Sequence, residues 1–103
     1  MKKNRHDNIV LSLEQRLENN GFTNIETLLE YKRKKVAGEC DLVAQKHGLK
    51  YYFEVKTTNN RKAYKSASHQ LWKDNRYLGH GDYFFYVYGH KGHRNHYCEE
   101  VVI

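Results

Sequence analysis

The residues with the most chemical potential are Asp41, Glu54 and Lys56, set in Gly38-Glu39-Cys40-Asp41 and in Tyr51-Tyr52-Phe53-Glu54-Val55-Lys56-Thr57. Both stretches are apolar-rich strand candidates, and the break between them holds His47-Gly48, a plausible two-residue hairpin turn. With that turn, Lys46 pairs with Leu49, Asp41 faces Glu54, and Glu39 faces Lys56. Directly opposed partners hold their Cβ atoms roughly 4.5–5.5 Å apart. Two carboxylates about 5 Å apart repel by roughly 3 kcal/mol at an effective dielectric near 20. Such a pair holds a proton, meets a base or binds a cation. Two oxygen donors at this separation suit Mg²⁺, which takes one or two carboxylates and keeps waters for a phosphate substrate. Lys56 points to the same face as Glu54 and supplies positive charge. A half-exposed hairpin with solvated charges is the plainer account of the same spacing.

Composition favours the chemical account. The chain has 103 residues, which suits one domain (1–103) with a single modest core. Eighteen Lys+Arg against twelve Asp+Glu give a formal charge of +6, attractive to polyanions, nucleic acid first. No apolar run approaches the about 18 residues of a membrane span, and the basic start lacks a following signal-type apolar stretch. Cys40 and Cys98 read as reduced thiols, which points to the cytoplasm.

Element order follows from periodicity. Ile9, Val10, Leu13 and Leu17 mark a helix over about 7–20, with Asp7 as N-cap and Gly21 at the C′ position. Residues 23–33 read as a strand running into Lys32-Arg33-Lys34-Lys35, and the hairpin follows. A second helix spans about 62–78, its apolar stripe formed by Tyr64, Ala67, Leu71, Trp72 and Leu78. Residues 82–88 form a buried aromatic strand, and 96–103 a last one. The order αβββαββ implies an α/β fold, a mixed sheet packed against helices.

This order, with Gly-Glu-x-Asp, twelve residues and Glu-Val-Lys, resembles the PD-(D/E)XK nuclease superfamily. The small size and Gly21-Phe22 after the first helix are most similar to archaeal and phage Holliday-junction resolvases. The resemblance covers roughly residues 7–90; Cys40 stands where the name-giving proline would be. It implies a restriction-endonuclease-like fold with a central mixed sheet flanked by helices. Asp41, Glu54 and the Val55 carbonyl would hold Mg²⁺, with Mn²⁺ as substitute, and Lys56 would orient the attacking water. The family's first-helix glutamate is assigned to Glu14, with Asp7 and Glu18 on the same side, and Gln70 matches a glutamine placed on the second helix. Each of these is equally an ordinary helix surface residue. Glu39 serves as a ligand or pairs with Lys56.

Three basic clusters bracket the motif: Lys32, Arg33, Lys34 and Lys35; Arg61, Lys62 and Lys65; Lys73 and Arg76. Such residues bind phosphates without reading sequence. His90, His93, His96 and Cys98 have zinc-like spacing but sit around a Gly-containing loop and match no standard module. The expectation is a metal-dependent DNA endonuclease acting on branched DNA as a homodimer, since cutting a junction on two strands needs two sites. The alternatives are a general or repair nuclease on linear, nicked or single-stranded DNA, and a non-catalytic nucleic-acid-binding module.

Overall fold

The computed structural model describes residues 4–89 and 96–103, apart from the side chains of Arg33 and His96. Its elements run α1 (Arg5–Asn19), β1 (Thr23–Arg33), β2 (Val36–Lys46), β3 (Leu49–Lys56), α2 (Arg61–Tyr77), β4 (Tyr83–Gly89) and β5 (His96–Glu100). The five strands form one mixed sheet in the order β1-β2-β3-β4-β5, antiparallel throughout except for the parallel β3–β4 pair that α2 connects.

Each element answers to local chemistry. Asn4 caps α1 by accepting the Asp7 amide at 2.8 Å, so the helix starts before the expected Asp7 cap and carries His6 and Asp7 in its first turn. It ends in a Schellman pattern: the Gly21 amide, at φ 86, reaches Glu18 O, and the Phe22 amide reaches Leu17 O. His47 and Gly48 both take positive φ (55 and 78), the requirement of a type I′ hairpin turn, and fix the expected Lys46–Leu49 register. Lys34 (φ 54) and Lys35 turn β1 into β2. Asn60 caps α2 through the Ala63 amide.

Ile9, Val10, Leu13 and Leu17 of α1 pack on one sheet face, against Leu42, Ala44, Phe53, Val55 and Val87. Ala67 and Leu71 of α2 pack on the other, against Cys40, Val43, Tyr52, Phe84 and Tyr86. The core therefore comes as two layers rather than one. Burying a side chain such as Leu13, 1% exposed, contributes about 1.5–3 kcal/mol. Covering both faces explains why Cys40–Ala44 and Tyr52–Val55 are buried without alternation. Asp41 and Glu54 lie inside those buried runs.

Two expectations change. Trp72 is 47% exposed and lies outside the stripe; the buried positions of α2 are Ala67, Leu71 and Asp74. The last strand stops at Glu100, beyond which the Val101 amide still bonds to Phe84 O. No helix among the described residues is long and apolar enough to cross a membrane.

Candidate metal centre

The β2–β3 ladder ends at Leu42↔Phe53, one pair short of Asp41 and Glu54. Beyond it the two carboxylates take over the cross-strand bonding. The Val55 amide donates to Asp41 Oδ2 at 2.8 Å, and the Asp41 amide donates to Glu54 Oε1 at 3.3 Å. Strand geometry sends the Val55 carbonyl to the same side as its amide, toward β2, where no ladder partner remains. β1 is distorted at the same level: Leu28 sits at φ 50 between the pairs Thr27↔Leu42 and Leu29↔Cys40. A left-handed leucine costs about 1–2 kcal/mol. Below this point Leu42 and Ala44 face α1, while Cys40 and Val43 both face α2, so the strand alternation slips where Asp41 stands.

A cleft of about 370 Å³ opens there, lined by His6, Glu39, Asp41, Glu54, Val55, Lys56, Thr57, Ser66 and Gln70. Asp41, Glu54, Val55, Lys56 and Gln70, expected from the sequence, are thus brought together. Lys56 reaches across to α2, its Nζ donating to Ser66 Oγ at 3.0 Å, rather than pairing with Glu39. Gln70 Nε2 donates to Tyr31 OH at 3.0 Å and to Asp74 Oδ1 at 2.9 Å.

Glu14 of α1 is not brought to the cleft. Glu14 lies eight residues, about 12 Å along the helix, from His6 and does not line the cleft. His6 takes the place: its Nε2 donates to Asp41 Oδ2 at 3.1 Å and its Nδ1 to Asp7 Oδ1 at 3.0 Å. Ionised carboxylates only accept, so both ring nitrogens carry protons and the ring is a cation. The hydrogen bond to Asp41, with help from Asp7, raises His6 from 6.5 to about 9 despite partial burial. Burial alone would raise Asp41, but bonds from His6, Glu54 and the Val55 amide hold it below the usual carboxylate range. Burial, then the charges of Asp41 and Asp74, pushes Glu54 well above its ordinary value. Asp74, fully buried beside Glu54, is raised too, chiefly by burial.

His6 and Asp74 escaped the sequence reading. An earlier helix start at Asn4, which stands three residues before Asp7 in the Ncap-to-N3 relation, would have placed His6 in the first turn. An acid in phase with Ala67 and Leu71 was the signal for Asp74.

The donor set fits a hard divalent cation. The carboxylates of Asp41 and Glu54 line the cleft together with Val55, whose carbonyl strand geometry turns toward β2, and with the ammonium-bearing Lys56. The basic clusters divide. Lys34 and Lys35 of the β1–β2 turn share a groove with Arg76 and Tyr77 of α2. Lys73 Nζ donates to Ala37 O near the start of β2. Lys62 lies one turn before Ser66 on the cleft side of α2, and Lys32 and Arg61 are exposed. Lys65 lines a different depression with Trp72 and Ile103. The Arg33 side chain, His90, His93 and the His96 side chain lie outside the described residues; Cys98 is a free thiol.

No family model matches the chain, and no curated protein matches it. Among solved structures it is similar to SSO0001, with a TM-score of 0.60 and 22% identity over 92% of this chain and 50% of that one. It is likewise similar to AF1548, a protein of unknown function, with a TM-score of 0.60 and 19% identity over 88% and 51%. The chain spans about half the length of each. These likenesses establish the class, an α/β fold with a five-stranded mixed sheet and two helices.

Proposed function

We propose that the chain is a divalent-metal-dependent DNA endonuclease of the PD-(D/E)XK fold, selective for branched DNA in the manner of Holliday-junction resolvases and acting as a homodimer. The observation that carries this reading is the splayed end of β2 and β3, where Asp41, Glu54, the Val55 carbonyl and Lys56 converge on one open cleft. Asp41, Glu54 and Val55 would hold Mg²⁺, or Mn²⁺ in its place. Bound there, the ion would act as a Lewis acid toward phosphate and acidify a water.

The chain's own groups supply the rest. Lys56, anchored by Ser66, presents a fixed positive charge for the oxygen charge that develops as phosphate is attacked. His6 holds Asp41 in orientation and carries a proton at the cleft wall, where it can neutralise an incoming phosphate. Gln70 braces the α2 wall through Tyr31 and Asp74. Lys34, Lys35 and Arg76 offer a second phosphate contact away from the cleft. A module that only binds DNA gains nothing from buried carboxylates beside phosphates.

The test is cleavage of a labelled four-way junction, with duplex and single-stranded competitors, with and without Mg²⁺. Paired symmetric nicks that vanish without metal and in Asp41→Asn, Glu54→Gln and Lys56→Ala are expected, with binding retained in the two carboxylate variants. Metal-dependent cuts without junction preference would leave a general nuclease. Binding without cutting under any divalent metal would refute the enzyme.

A further inference from the structure

Beneath the cleft, between the sheet and α2, lies a second set of ligand atoms, of which the nuclease reading uses only Glu54. Cys40 of β2, Glu54 of β3 and Asp74 of α2 are all buried, and one ligand atom from each lies within 4.8 Å of the others. Asp74 is 0% exposed, at a position where a helix facing a sheet ordinarily carries an apolar residue. Its Oδ1 accepts from Gln70 Nε2 at 2.9 Å and from Tyr31 OH at 3.3 Å. Its Oδ2 has no hydrogen-bond partner among the described residues. A buried acceptor left unmatched costs about 1–3 kcal/mol, and more when charged. The neighbouring cations are engaged elsewhere: His6 with Asp7 and Asp41, Lys56 with Ser66. Two carboxyls and a thiol in one buried layer call for a proton or a cation between them.

We propose that Cys40, Glu54 and Asp74 form a buried cation site for a thiophilic divalent ion of the zinc class, with Glu54 bridging to the cleft. Only the bridging rests on the nuclease reading. One sulfur and two carboxylate oxygens disfavour Mg²⁺ and Ca²⁺, which take oxygen, and suit Zn²⁺ or Co²⁺. Tetrahedral zinc bonds of about 2.3 Å to sulfur and about 2.1 Å to oxygen set ligand–ligand distances of about 3.4–3.6 Å. That lies within the observed limit, so small side-chain movements close the site. Burial, followed by the charge of Asp74, holds the Cys40 thiol protonated at neutral pH. Binding is therefore an exchange: the ion takes the sulfur lone pair, the thiol proton passes to water along with any proton held by the carboxyl pair, and no atom changes oxidation state.

The probe is Co²⁺, whose bond to a thiolate gives a near-ultraviolet charge-transfer band. The chain has two cysteines, so in Cys98→Ala protein any such band belongs to Cys40. The expected result is a band that saturates at one Co²⁺ per chain in Cys98→Ala, persists when Asp41→Asn is added, and needs at least tenfold more Co²⁺ when Asp74→Asn is added. The Asp74→Asn side chain keeps an oxygen for Tyr31 and Gln70, and circular dichroism checks its fold. Absence of a band from folded Cys98→Ala protein overturns the site and leaves a proton shared between Glu54 and Asp74. An unchanged Co²⁺ requirement in Asp74→Asn overturns it as well. A band in protein that cleaves no DNA would sink the nuclease reading and leave this one standing.

Discussion

The contact between His6 and Asp41 can be weighed by removing one charge. His6 is raised from 6.5 to about 9, first by its hydrogen bond to Asp41. At about 1.4 kcal/mol per pKa unit, the whole shift corresponds to about 3 kcal/mol. The His6 side chain is 29% exposed, so solvent screening reduces the contribution to stability to about 1–2 kcal/mol. The sign follows from proton linkage. The folded chain holds the His6 proton more tightly than the unfolded one, so this stabilisation is complete below pH 6.5 and disappears as pH rises through about 9. Asp41 is lowered, so its share is present above 3.8 and is lost as pH falls through its depressed value. The assay is an NMR titration of the His6 ring, paired with urea unfolding on either side of the 6.5-to-9 window. In Asp41→Asn the His6 pKa should drop by at least about one unit, with Asp7 retaining part of the shift. Mg²⁺ should lower it in the wild type by competing for Asp41 Oδ2. A wild-type His6 that titrates at 6.5, or one indifferent to Asp41→Asn, would refute the pairing.

Three further outcomes are expected. Gly81→Ala would place a Cβ 2.6 Å from Tyr52 Cδ2; Tyr52 is fully buried, so urea unfolding should show a loss of about 1–3 kcal/mol with the His6 titration unchanged. Tyr31→Phe removes a donor to Asp74 Oδ1 and the acceptor of Gln70; a loss of about 1–3 kcal/mol is expected, and a neutral result would show that those bonds are not formed. Lys34→Gln, Lys35→Gln and Arg76→Gln combined should weaken DNA binding across all sequences and lower the salt slope by about 2–3, whereas an unchanged slope would remove their groove from the DNA footprint.

The parts of the fold set by short-range chemistry could be read from the sequence. His47-Gly48 specifies a turn, the turn specifies the Lys46–Leu49 register, and that register directs Asp41 toward Glu54. Gly21 likewise ended α1 at the expected place. Hydrophobicity alone misplaces one position of α2. Trp72 counts toward the apolar stripe of α2 by hydrophobicity, yet the helix turns the indole outward and the Asp74 carboxyl inward, where Gln70, Tyr31 and Glu54 are its polar neighbours. The first-helix residue failed for a related reason. A helix start set three residues late put His6 outside α1 and left Glu14 as the acid closest to the stripe. No local rule signals that β2 and β3 part after Leu42↔Phe53, since that depends on two carboxylates replacing ladder bonds between strands.

That parting links stability to chemistry. A regular ladder through Asp41 and Glu54 would occupy the Val55 amide and carbonyl with backbone partners and hold the carboxylates over a closed sheet. The carboxylate-for-carbonyl exchange keeps the amides satisfied, Val55 by Asp41 and Asp41 by Glu54, and leaves the Val55 carbonyl without a β2 ladder partner. It also drives acids into a layer whose interior is otherwise Cys40, Tyr52, Leu71 and Tyr86. Burial pushes both Glu54 and Asp74 above the ordinary carboxylate range, the direction that conflict dictates. His6 offsets it from the α1 side and is itself offset by Asp7, so the cation at the cleft wall is held by two acids rather than one. A metal ion bound in the cleft, as proposed, would compete with His6 for Asp41 and relieve Glu54 at the same time. The sequence positions that interrupt the β2–β3 ladder are therefore the ones the proposed cation site would draw on.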